Sequence, residues 1–187
     1  MKDFLLFWII LLLLPVAGCE EEPQRLDDYF VDFATVKKNG SSYRFQLDNG
    51  RILIPLETNY SGQEGQRVIL NYAFLEGDTV RIHSAGNILT GEVQSQGFPE
   101  KLEKDPVKIQ SIWVGGDYLN MIIETEYHSK PHKVALLRNA SSPTVDLYFS
   151  HSKEQDPPGY PQKMYASFLL RSLRTEKNPP ISFRLFI

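Results

Sequence analysis

Only one cysteine, Cys19, occurs in the 187 residues, so no disulfide can form within the chain. Whatever folds here is held by apolar burial and hydrogen bonds rather than by covalent staples. Basic clusters are equally scarce. Residues 29–98 hold six bases and seven acids, and residues 99–187 hold twelve bases and ten acids. A surface that tracks a phosphate backbone needs clustered Lys and Arg, so nucleic acid is excluded as an expected partner. The longest apolar run, Phe4–Leu14, has eleven residues, whereas a helix that crosses a bilayer needs about 20. Also missing are a Walker phosphate loop, a dinucleotide fingerprint, a zinc-ligand cluster and a Gly-x-Ser-x-Gly nucleophile elbow. These absences remove the most recognisable enzyme classes. The chain is expected to carry no catalytic residues, no cofactor and no metal.

What is present starts at the first residues. Lys2, the apolar run, Pro15 and then Val16-Ala17-Gly18-Cys19 have the order of a secretory signal: a basic start, a short apolar core and small residues before a cut. Val-Ala-Gly-Cys resembles the lipobox of bacterial lipoproteins. The resemblance implies a signal peptide over residues 1–18, cleavage before Cys19, a diacylglycerol on its sulfur and an acyl chain such as palmitate on its new amino group. Two chains anchor a protein stably, at about 0.8 kcal/mol per buried methylene. The protein is thus expected to be held at the bacterial outer membrane through Cys19, with the membrane as its first partner. Residues 20–28 hold five acids and one base, and the acidic run Glu20-Glu21-Glu22, bounded by Pro23, reads as a solvated tether. Acidic residues just after a lipidated Cys also resemble surface-export signals of Bacteroidetes lipoproteins.

From Tyr29 onward the chain reads as all-β. Phe30 to Lys37, Tyr43 to Leu47, Ile52 to Leu56, Arg67 to Leu75 and Val80 to Ser84 alternate with a period of two, separated by turn signals such as Asn39-Gly40, Asp48-Asn49-Gly50 and Glu76-Gly77-Asp78. Asn87 to Gln94 reads as a returning hairpin partner. Five or six short strands in about 70 residues suit a small OB-like barrel over residues 29–98. Gln96 to Asp105, with Gly97, Pro99 and alternating charges, reads as a linker exposed to proteases near Lys101 and Lys104. A second strand series follows: Val107 to Val114, Tyr118 to Tyr127, Lys133 to Arg138, Thr144 to Ser150, Met164 to Ser172 and Ile181 to Phe186. Strands at this spacing suggest an antiparallel β-sandwich over residues 99–187. Met164 to Lys177 also fits a helix, with Tyr165, Phe168, Leu169 and Leu173 on one side; the surroundings favour a strand.

The two halves carry a family resemblance. It lies in Tyr43-Arg44-Phe45-Gln46-Leu47-Asp48-Asn49-Gly50 and Gly65-Gln66-Arg67-Val68-Ile69-Leu70-Asn71-Tyr72 in the first half. In the second it lies in Asp105-Pro106-Val107, Ile112-Trp113, Asp117-Tyr118-Leu119-Asn120 and Leu147-Tyr148-Phe149-Ser150-His151. Together these resemble the NigD-like lipoproteins of the Bacteroidetes, which pair an N-terminal OB-fold with a C-terminal β-sandwich. The resemblance implies a binding or interaction role, with bacteriocin immunity or envelope defence as its concrete form. It implies no catalytic residue.

Candidate chemistry is sparse. His128-Ser129-Lys130-Pro131-His132 has metal-like spacing, but Pro131 prevents the helix that would put both rings on one face. His151, beside Ser150 and Ser152, could pair with Asp146 or Asp156 as in a hydrolase. Glu124 and Glu126 share one strand face, too close together to frame a sugar. The rings of Tyr29, Phe30, Phe33, Tyr43, Phe45, Tyr72 and Phe74 fall at alternating positions and read mostly as core. Asn39, Asn59 and Asn139 begin Asn-x-Ser triplets and read as turn residues. Asp78-Thr79-Val80 resembles an O-glycosylation tripeptide of exported Bacteroidetes proteins, which marks Thr79 as a modification candidate. The expected protein is a lipid-anchored binder of an unknown protein or, alternatively, a glycan- or peptide-binding accessory of a surface complex. An enzyme is the least expected class.

Overall fold

The computed structural model describes residues 29–174 and 182–187. The expected signal peptide, Cys19 and the acidic tether lie outside the described residues. Twelve strands are described: β1 (Phe30–Asn39), β2 (Ser42–Leu47), β3 (Ile52–Pro55), β4 (Arg67–Glu76), β5 (Thr79–Asn87), β6 (Leu89–Gln94), β7 (Lys108–Gly115), β8 (Tyr118–Tyr127), β9 (Lys133–Arg138), β10 (Asp146–Ser152), β11 (Tyr160–Leu169) and β12 (Arg184–Phe186). The only helical element among the described residues is a 3₁₀ turn, Arg171–Leu173.

β1 to β5 form a closed barrel in the order β1-β2-β3-β5-β4. Closure follows from β1, which is long enough to pair antiparallel with β2 through Ala34–Asn39 and with β4 through Phe30–Thr35. The parallel pairing of Ile54 with Thr79 completes the ring. Alternate residues point inward, and Val36, Phe45, Leu53, Val68, Leu70 and Val80 are fully buried there. Each contributes about 1.5–3 kcal/mol over leaving it in water. The expected barrel and its turns are therefore present.

β6 is where structure and expectation part. Leu89–Gln94 does not return to the barrel. It runs parallel to β11 on one side, through Ala166↔Leu89, and parallel to β9 on the other, through Val93↔Leu136. The second module is one seven-stranded sheet, β12-β10-β9-β6-β11-β8-β7. It curls about β6, so that Leu119, Met121 and Ile123 of β8 share a core with Leu136 of β9 and Leu147 and Phe149 of β10. That core makes it a sandwich, although its pairings are mixed rather than purely antiparallel. The physical reason is that β6, with one buried face, cannot complete a barrel already closed by β3 and β5. Met164 to Leu169 is strand, as favoured, and the strand begins earlier, at Tyr160.

The chain consequently crosses between modules at one buried residue, Ile88, whose N–H donates to the Arg67 carbonyl at 3.1 Å. The segment expected as the linker is part of the second module. His151 N–H donates to Glu103 O (3.1 Å), Asp105 N–H donates to His151 O (3.0 Å), and the Ser150 hydroxyl donates to Lys101 O (3.1 Å). Residues 101–105 thus form a strap along β10.

Candidate functional site

The most polar buried feature joins the two modules. Arg67 opens β4, and its side chain is fully buried. Its guanidinium makes a forked pair with Asp48 of the β2–β3 turn, Nη1 to Oδ1 at 2.7 Å and Nη2 to Oδ2 at 3.1 Å. The remaining donors reach Thr35 Oγ1 (3.1 Å), Asn120 Oδ1 (3.0 Å) and Ser167 Oγ (3.3 Å). All five N–H donors are satisfied, as a buried guanidinium requires. Asn120 in turn donates to Asp48 Oδ2 at 2.8 Å, and the Ser167 hydroxyl donates to Asn120 Oδ1 at 2.6 Å. The cation lies 4.2 Å from the Tyr118 ring centroid. Thr35, Asp48 and Arg67 belong to the barrel; Tyr118, Asn120 and Ser167 belong to the sandwich. Phe33 extends the seam against Trp113, with ring centroids 4.9 Å apart. A Cβ on Gly115 would fall 2.5 Å from Asp48 Oδ2, so glycine is what lets the β7–β8 hairpin sit against the barrel.

The histidines make a second buried cluster. His132 Nδ1 lies 3.0 Å from His151 Nε2, and His132 Nε2 lies 3.3 Å from Asp156 Oδ2. His151 Nδ1 lies 2.9 Å from the Asp105 carbonyl. A carbonyl only accepts, so this nitrogen carries the His151 proton; that tautomer is assigned from the bonding. Burial pushes the His151 imidazole below its ordinary value, outweighing the Asp105 carbonyl, and His132 pushes the same way. Burial alone would raise the Asp156 carboxyl. The backbone N–H groups of His128, Ser129 and Lys130, joined by His132, outweigh it and hold Asp156 well below the usual carboxylate range.

The candidates read from sequence thus separate. His132, His151 and Asp156 meet. His128 does not join them; its ring is exposed beside the Ser129 hydroxyl. Ser150 is bonded to the strap, accepting from Glu103 N–H at 2.9 Å, and is not presented to His151 as a nucleophile. Asp146 is held low chiefly by Arg184, whose Nε and Nη2 donate to it at 2.7 Å each, with Ser142 and Thr144 also donating. Glu124 accepts from Lys108 and Gln110, and Glu126 pairs with Lys153. Among the described residues, no group of three or more His, Cys, Asp or Glu could hold a metal. Thr79 is half-buried where β5 leaves its turn, next to Asp78, which pairs with Arg51. Of the rings, Phe45 and Tyr72 are core, Phe33 is on the seam, and Tyr29 and Phe30 are exposed. Sequence reasoning missed the role of Arg67. Its one signal was a strand-opening arginine directly before an alternating apolar run.

The fold and its seam define a two-module all-β protein in which an OB-type barrel and a β-sandwich are fixed as one body. Comparison with known proteins agrees. Residues 33–88 match the NigD-like N-terminal OB domain, and residues 90–186 match the NigD-like C-terminal β-sandwich domain. The chain belongs to the NigD-like family. The switch between the two matches falls at Ile88, where the strands change modules. A NigD-like immunity protein of Bacteroides caccae is 27% identical, with a TM-score of 0.71 over 83% of this chain and 84% of that one. A protein of Parabacteroides distasonis described as toxin-related is 26% identical, with a TM-score of 0.74 over 84% of this chain and 86% of that one. A candidate lipoprotein of Bacteroides fragilis shares the fold at 11% identity, with a TM-score of 0.59 over 78% and 79%. No curated protein matches the chain.

Proposed function

We propose that this is a lipid-anchored envelope protein that binds a protein toxin as a rigid body, in an immunity-like role, and that it performs no turnover. The observation that carries the reading is the Arg67 seam. It joins Asp48 and Thr35 of the barrel to Asn120 and Ser167 of the sandwich through a fully satisfied guanidinium. A surface spanning both modules is then held in shape before it meets its partner, which lowers the ordering cost of binding. The similarity to a NigD-like immunity protein and to a toxin-related protein supports the same class. The buried histidines support binding over catalysis, because both rings and Asp156 are engaged with one another and with backbone. In this reading Cys19 carries the lipid, the outer membrane is the site of action, and Thr79 carries any surface glycan.

The test uses the full chain. Sensitive cells producing it, or its Cys19→Ser variant, are challenged with culture supernatant from a bacteriocin-producing relative. The expected result is protection by the intact chain, loss of protection with Cys19→Ser, and crosslinking of the chain to a secreted polypeptide. Equal killing of producing and non-producing cells by every supernatant tried, with no polypeptide crosslinked, rejects the reading.

A further inference from the structure

We propose that the barrel carries a binding pocket for a neutral saccharide, built by the β3–β4 loop and a bulge in β5. The pocket does not depend on the immunity-like reading. It is an open cleft of about 560 Å³, within the volume range of small-ligand sites. Thr58, Tyr60 and Ser61 form one wall, and His83, Ser84 and Asn87 form the other. Among the described residues, no Lys, Arg, Asp or Glu lines it. A phosphate, a carboxylate or an ammonium group would find no fixed opposite charge on its walls. Hydroxyls, amides, an imidazole and a phenol are what remain, and these match a ligand rich in neutral hydroxyls.

The site is constructed rather than incidental. β5 pairs with β4 through Asn71↔Ser84 and then Tyr72↔Ile82, so His83 has no partner across the ladder and is the bulged residue. A bulge re-aims side chains at the cost of one ladder contact, and here it brings His83 and Ser84 together to the pocket wall. The loop opposite is closed on itself by one bond and tied to the barrel by two. Tyr60 N–H donates to Thr58 Oγ1 at 3.1 Å, the Tyr43 hydroxyl donates to Gly62 O at 3.2 Å, and the Tyr60 hydroxyl donates to Asn87 Oδ1 at 2.8 Å. The Tyr60 ring is wedged edge-on against Tyr43 and Phe45, both centroids 5.7 Å away. Burial, and then Tyr43, pushes its phenol above the ordinary value, so the hydroxyl keeps its proton and remains a donor. Asn87, having used its oxygen on Tyr60, keeps its amide N–H groups for a ligand. Gly62 is needed for this arrangement, since a Cβ there would fall 1.9 Å from the Tyr60 hydroxyl oxygen. An aromatic ring beside fixed donors and acceptors gives a sugar both an apolar face to lie on and hydroxyl partners.

The experiment is saturation-transfer NMR on the full chain in detergent micelles, with maltose, cellobiose and N,N′-diacetylchitobiose as probes and digalacturonate as the charged comparison. At least one neutral disaccharide is expected to bind in the millimolar range. His83→Ala/Asn87→Ala, which removes two polar groups from the wall, is expected to weaken it by about tenfold or more, with unfolding temperature as the check on folding. Gly62→Ala, which displaces the Tyr60 ring, is expected to do the same. Lys133→Ala, on the sandwich, is expected to leave binding unchanged. The proposal is overturned by no transfer from any neutral probe at about 20 mM. It is also overturned by binding that survives both pocket variants, or by digalacturonate binding as tightly as the neutral sugars.

Discussion

Two buried polar clusters hold this molecule, and they work differently. The Arg67 seam contains a cation whose charge does not vary with pH, and its partners come from both modules. The His132–His151–Asp156 cluster lies wholly inside the sandwich and consists of groups that can titrate. The seam fixes how two folded units are placed. The histidine cluster fixes loops within one unit, since Asp156 gathers three successive N–H groups and His151 ties down the strap at Asp105. A charge that is permanent suits a joint that must never open; titratable groups leave their loops dependent on conditions. Breaking one cluster should therefore separate units, and breaking the other should loosen a unit from within.

The largest expected effect follows from the seam. Arg67→Met strands the Asp48 carboxylate against the sandwich and should cost about 3–5 kcal/mol by chemical denaturation. It should also split one cooperative unfolding transition into two, read by fluorescence and calorimetry. Adding Asp48→Leu and Asn120→Leu should recover much of the loss, because an apolar seam carries no unpaired charge. A single, unshifted transition in Arg67→Met would remove the seam from the account.

The second expectation concerns pH. His151 lies below its ordinary value of 6.5 in the folded protein, so the unfolded chain binds its proton first as pH falls. Stability from this group is full above about 6.5 and declines as pH drops from there toward the folded value. Asp146 and Asp156 lie below their ordinary value of 3.8, and their contributions persist down to about that pH and are lost as it falls further. Unfolding temperature measured from pH 8 to pH 3 should decline in two stages. His151→Gln should flatten the first stage and leave the second. Arg67→Met should leave both, and loss of either stage in that variant would show that the two clusters are coupled.

Smaller effects follow at the edges. Arg184→Ala frees β12 from Asp146, and hydrogen exchange should quicken at Leu185 and Phe186 while the barrel stays protected. Lys133→Ala removes an exposed pair with Glu154 and should change stability by no more than about 0.5 kcal/mol. A larger change would mean that the pair steadies the β9–β10 edge in a way its exposure does not suggest.

Strand content and barrel identity were legible along the chain because they are local. Tyr43, Phe45 and Leu47 alternate, turns carry their glycines, and the sequential pairs β1–β2, β2–β3 and β4–β5 are neighbours in the barrel. Leu89 to Gln94 was legible as a strand but not as a member of the second sheet. Its partners, Ala166 to Leu169 and Leu136 to Leu137, lie far along the chain, and parallel pairing leaves no turn signal between them. The histidines were visible as a group, yet spacing picked out His128 with His132, whereas the fold paired His132 with His151.

By itself, then, the sequence determined that the protein is all-β, free of disulfides, and assembled as a barrel before a sandwich. Hydrophobic period and turn chemistry act over a few residues and need no partner to be read. Only the tertiary structure decided that Arg67 is the joint, that Ile88 is the crossing, and that His83 leaves its ladder to line a pocket. Each depends on groups tens of residues apart arriving at hydrogen-bond distance. A buried charge or a bulge acquires its meaning only from what closes around it.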